Sequence, residues 1–181
     1  MTESPEYRAI YQDFAALLSY PEPGHQKLAE TLASRLREVS DETAEPLERF
    51  AEILASSTVE EAREHYTRAF DLSPLAVPYL SVYLFGAENP QRGQFMAGFS
   101  GAYAEAGYDS GGELPDHLAT VLGYAGVAPE DTWEEVQQLC LPSPLKLMRQ
   151  ALRVGESPYE HVLASLEVFV KHVTAGALIH A

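Results

Sequence analysis

The stretch Glu113-Leu114-Pro115-Asp116-His117-Leu118 sets a carboxylate beside an imidazole at the entry to an apolar helical pattern. A carboxylate pairs with cationic or N–H donors, and an imidazole donates, accepts or changes charge near neutral pH. Pro115 suits a first helical position, where its missing N–H leaves nothing unpaired, and Asp116 then lies beside the positive end of the helix. Leu118, Val121, Leu122 and Ala125 continue at helical spacing, so the pattern predicts a helix opening at Pro115. Sequence neighbours point about 100° apart around a helix, so Asp116 and His117 are expected to serve the rim of one groove rather than to chelate one ion. That geometry favours recognition over catalysis. A binding role for His117 would respond to pH between about 5.5 and 7.5.

The composition narrows what this segment could recognise. Lys and Arg number 12 against 27 Asp and Glu, and the net charge of −15 argues against phosphate backbones and for cationic partners. Cys140 is the single cysteine, which excludes an intramolecular disulfide and any multi-cysteine metal site; it reads as a buried hydrophobe in a reducing compartment. The histidines lack the one-turn pairing of a zinc site, so no metal and no cofactor are expected. Met1 to Glu6 has neither the basic nor the apolar region of a secretory signal, which predicts a cytoplasmic protein. The apolar-rich stretch from Leu72 to Phe85 carries Pro74 and Pro78 and falls short of the roughly 20 residues of a spanning helix, so no membrane span is expected.

The elements that must position the segment read as helices nearly throughout. Apolar three-four spacing predicts helices over Glu6–Ser19 and His25–Val39, and a short one opened by Pro46 that carries Leu47, Phe50, Ile53 and Leu54. Thr58-Val59-Glu60-Glu61 is a capping box, and the helix it starts carries Tyr66 and Phe70 and ends near Asp71. Leu75–Phe85 fits strand and helix alike and is read as helix. Asn89-Pro90 starts a helix that Gly107 ends; Gly93, Gly98 and Gly101 inside it are expected to be offset by close helix packing. After the glycine-rich loop 108–112 and the helix from Pro115, further helices are predicted over Asp131–Leu141, burying Trp133, Val136, Leu139 and Cys140, from Ser143 to Gly155, and from a second capping box, Ser157-Pro158-Tyr159-Glu160, to Gly176. The expectation is all-α: one single-domain helical bundle, 1–181, of about ten helices, with loose termini at 1–5 and 177–181.

Three blocks, Tyr66-Thr67-Arg68-Ala69-Phe70-Asp71-Leu72, Arg92-Gly93, and Glu113 to Leu118, occur in the order and spacing that resemble the NarJ/TorD family of redox-enzyme maturation chaperones, most closely its nitrate reductase delta-type members. The resemblance covers about Glu6 to Val173. It implies a TorD-like helical fold and no catalysis. It also implies a chaperone, monomeric or dimeric, that binds the N-terminal peptide of an apo molybdoenzyme catalytic subunit, nitrate reductase-like, and assists molybdenum cofactor insertion before membrane targeting. The implied peptide-binding residues are Tyr66, Phe70, Asp71, Leu114, Pro115, Asp116 and His117.

Plainer readings compete. Tyr66 and Phe70 have the four-residue spacing of any buried helix face, and Glu60, Glu61 and Glu64 read first as a solvated acidic patch. A helical metal-dependent phosphohydrolase shares only scattered histidines and an Asp-His pair, in the reverse of the order that class needs. A generic helical scaffold would have no peptide groove.

Overall fold

The computed structural model describes residues 5–179, side chains to 176. In chain order its helices are α1 (Pro5–Leu17), α2 (His25–Val39), α3 (Asp41–Ala55), α4 (Val59–Phe70), α5 (Leu80–Phe85), α6 (Gln91–Ala106), α7 (Leu118–Tyr124), α8 (Glu130–Glu135), α9 (Pro142–Val154) and α10 (Tyr159–Ile179), with a π-helical turn at Val136–Cys140. The protein is all-α, and the described residues contain no strand. Of the termini expected to be loose, residues 1–4 and 180–181 lie outside the described residues, whereas Pro5 opens α1 and α10 continues to Ile179. The chain groups into two compact units, one built from residues up to 18 with 78–144, the other from 19–77 with 145 onward.

In the first unit α1 packs on α7, and Ile10, Tyr11, Phe14 and Leu17 of α1 are all buried. Arg8 Nη1 donates to the carbonyls of Ala125 (3.1 Å) and Ala128 (2.5 Å), supplying donors to the carbonyl end of α7. α8 runs into the π turn, closed by Leu141 N–H donating to Val136 O at 3.1 Å, five residues back. That wider turn corrects the helix read as continuous to Leu141. The extra residue rotates Gln137 inward, where its Nε2 donates to Tyr11 Oη at 2.9 Å, and turns Leu139 out to 69% exposure. Trp133 and Val136 are buried as expected, but Cys140 is only half-buried, and burial together with nearby Glu135 pushes its thiol up to about 11.

In the second unit α2 and α3 form a hairpin about Ser40, whose N–H donates to Leu36 O at 2.9 Å and whose Oγ accepts from Thr43 N–H at 3.2 Å. This cap, with Asp41 and Glu42 in the first turn, starts α3 at Asp41 rather than at Pro46. Pro46 therefore sits inside the helix at the cost of one N–H bond. α10 packs on α3, where Ser165 Oγ donates to Thr43 O at 2.6 Å. The capping box at Thr58 forms in both directions: Glu61 N–H donates to Thr58 Oγ1 and Thr58 N–H to Glu61 Oε2. The second box does not close. Ser157 Oγ accepts from Tyr159 N–H, while Glu160 turns to Arg149, which also pairs with Glu167 at 3.0 Å and so ties α9 to α10.

Candidate functional site

The segment 113–118 is held by long-range pairing rather than by a helix of its own. Tyr79 and His117 form an isolated antiparallel bridge, in which Leu80 N–H donates to Asp116 O (3.0 Å) and Leu118 N–H to Pro78 O (2.8 Å). The stretch read as helical from Leu75 is helical only from Leu80: Leu75 and Ala76 donate their N–H groups to the carbonyls of Arg68 and Ala69 at the end of α4, and Pro78 and Tyr79 pair with 116–118. Tyr103 Oη donates to Pro115 O at 2.6 Å, and Tyr108 Oη to Thr120 O at 3.0 Å, so α6 and the loop after Gly107 brace the segment from a second side. Gly107 ends α6 in the left-handed region, as the sequence predicts.

α7 consequently begins at Leu118, with His117 as its cap, and not at Pro115. His117 Nδ1 accepts from Ala119 N–H at 3.2 Å, which requires a neutral ring with its proton on Nε2. Burial lowers the His117 pKa, against the opposing charges of Glu113 and Asp116. Protonating Nδ1 would also remove the cap acceptor, an effect of the same sign.

Asp116 is fully buried. Its Oδ2 accepts from both the N–H (3.1 Å) and the hydroxyl (2.5 Å) of Ser81, so it satisfies the open amino end of α5 instead of that of α7. Its Oδ1 has no hydrogen-bond partner among the described residues. Leu114, by contrast, is 44% exposed, and Pro115 is half-buried. The four residues singled out from sequence are thus brought together in the first unit, two of them outward and two inward.

Tyr66, Phe70 and Asp71 belong to the second unit, at the C-terminal end of α4. Phe70 is buried, Tyr66 half-buried, and Asp71 caps the helix in the open. Tyr66 meets Tyr20 (5.6 Å between centroids), Phe70 (5.4 Å) and Tyr159 (5.8 Å), and Tyr159 also meets Phe70 and Phe50, each at 5.1 Å. These mostly edge-on contacts add to the burial of the rings. Arg68 Nη2 donates to Gly155 O at 3.2 Å, and a Cβ on Gly155 would lie 2.5 Å from Leu75 Cδ1, so the turn after α4 closes on the turn between α9 and α10. Sequence reading missed Tyr20, Phe50 and Tyr159 in this cluster, and Ser81 beside Asp116. Tyr159 was in view only as part of a capping box, and nothing local connects Ser81 to a residue 35 positions away.

The family comparison matches the nitrate reductase delta subunit family over residues 36–165, which takes in all three sequence blocks, residues 66–72, 92–93 and 113–118. The chain belongs to the nitrate reductase delta subunit family. Its members are chaperones of molybdoenzyme maturation rather than catalysts. A search of curated proteins gave no match. Among the described residues of this delta-family chain, no group of His, Cys, Asp and Glu is placed to hold a metal ion, and no helix is long and apolar enough to cross a membrane.

Proposed function

We propose that this delta-family chaperone binds the N-terminal segment of an apo molybdoenzyme catalytic subunit, of the nitrate reductase type, and holds it in the cytoplasm until the molybdenum cofactor is inserted. What carries the reading is the family match extending across residues 66–71 and 114–117. Leu114 is an exposed aliphatic side chain on a segment fixed by backbone bonds on either side, an arrangement that suits an apolar anchor for a peptide. His117 and Asp116, both buried, act from beneath by holding the segment. In the second unit, taken by itself, the exposed Asp71 beside Tyr66 and Phe70 is available to a cationic group of the client.

The net charge of −15 supports a client segment that carries arginine or lysine. The test is calorimetric titration of the purified chain with the N-terminal peptide of its client subunit, alongside a scrambled peptide of equal charge. Selective binding of the native sequence is expected. Equal binding of both peptides would reduce the interaction to charge alone and remove the recognition reading.

A further inference from the structure

The Arg92-Gly93 block is assigned no part in that reading, yet the structure gives its arginine a definite place. Arg92 Nε donates to Ser81 Oγ at 2.9 Å, and Arg92 Nη1 donates to Ala87 O at 2.8 Å, so two edges of the guanidinium are fixed by the start of α5 and by the turn that follows it. Ser81 is fully buried, and its hydroxyl donates onward to Asp116 Oδ2. A hydroxyl that accepts from a guanidinium while donating to a carboxylate is polarised from both sides, so the two bonds strengthen each other. The carboxylate so held belongs to the residue whose own carbonyl accepts from Leu80 N–H and whose neighbour caps α7. Gly93 has nothing within 4 Å of a Cβ, so within the block the arginine carries the contacts.

We propose that Arg92 and Ser81 are positioning residues of the client-binding segment: the chain Arg92 to Ser81 to Asp116 locks Leu114–His117 in register against α5 and so sets how Leu114 faces the client. The inference rests on the proposed function, because it assigns these residues an effect on the same peptide. Neither needs to touch the peptide, and Ser81, with no exposed surface, is out of its reach.

The test uses the full chain and the client's N-terminal peptide. Affinity is measured by calorimetry well below the melting temperature for wild type, Ser81→Ala, Arg92→Gln and Arg92→Lys, and the His117 ring is followed in the peptide-free protein by imidazole nitrogen NMR. Ser81→Ala and Arg92→Gln should each weaken binding about tenfold or more, the scale of losing one hydrogen bond to a charged group. Both should also disturb the single Nε2–H tautomer of His117. Arg92→Lys, which keeps a cationic donor for Ser81 Oγ but gives up the Nη1 bond to Ala87 O, should bind at least about threefold more tightly than Arg92→Gln. Lower melting temperatures with unchanged affinity and an unchanged imidazole spectrum would overturn the inference and leave the network a purely structural one. A wild-type chain that does not bind the peptide overturns the functional reading first and this one with it, so the two failures are told apart by the wild-type titration.

Discussion

Replacing Asp116 separates the observed role of this carboxylate from the one its position in the sequence invites. In Asp116→Ala, the N–H and the hydroxyl of Ser81 both lose their acceptor in a site with no solvent exposure. Hydrogen bonds to a charged group contribute about 1.5–3 kcal/mol each, which gives a gross loss of roughly 3–6 kcal/mol. Against this stands the relief of burying Oδ1 without a partner, about 1–3 kcal/mol, so the net loss spans about 0–5 kcal/mol and centres on about 2.5 kcal/mol. Asp116→Asn keeps an oxygen for Ser81 but sets an amide NH2 where Oδ1 lies buried, at a cost of about 1–3 kcal/mol. A cap at the start of α7 would behave differently, since Asn caps as well as Asp and the change would cost a few tenths at most. Urea titration followed by far-ultraviolet circular dichroism measures both variants, and for a chain of this length Asp116→Ala should melt roughly 5–10 °C lower. An Asp116→Asn variant within about 0.5 kcal/mol of wild type, half the smallest cost reckoned above, would refute the buried-acceptor reasoning.

Other consequences are as direct. His117 and His161 both have pKa values lowered chiefly by burial from an ordinary 6.5, so the unfolded chain binds the more protons below that pH; their stabilising contribution is full above about 6.5 and is lost as pH falls towards the folded values. His117→Gln should flatten the stability-pH slope just below 6.5, and a slope unchanged by the substitution would refute the assignment of that titration to His117. Gly98 is helical with open space around its missing Cβ, so Gly98→Ala should raise stability by about 0.5–1 kcal/mol in denaturant titration, where the close packing expected from sequence would make it destabilising. The Cys140 thiol, pushed up to about 11, should be alkylated at pH 8 at least tenfold more slowly than a free cysteine of pKa about 8.5. Client association should slow as salt rises while a residual affinity persists, which stopped-flow fluorescence would show; a rate indifferent to salt would count against charge steering.

Much of this chain is legible because its helix signals are local. Thr58 and Glu61 lie three residues apart and cap each other, Gly107 takes the left-handed turn that ends α6, and the apolar periodicity of α1 matches the face it buries. Local rules fail where two are in competition or where a distant partner decides. Pro46 reads as a helix start, but Ser40 caps earlier with two acidic residues behind it, and the stronger start absorbs the proline. Glu160 has the spacing to complete a capping box, but a guanidinium on α9 outbids the cap N–H for its carboxylate. The wide turn at Val136–Cys140 shifts every later side chain on that stretch, which no fixed period anticipates.

Pro115-Asp116 shows most clearly what sequence can and cannot settle. The chemistry inferred was correct in kind, since Asp116 does accept from an unpaired N–H at the amino end of a helix. The helix was the wrong one, because the bridge between Tyr79 and His117 sets the amino end of α5 against Asp116 and leaves the opening of α7 to His117. A short polar side chain announces the bond it needs but not the partner that supplies it, and the partner here is 35 residues away. The family resemblance marked the same residues without that geometry. The geometry adds a division of labour within one motif: Leu114 and Pro115 face outward, while Asp116 and the ring nitrogen Nδ1 of His117 hold the frame on which they are displayed.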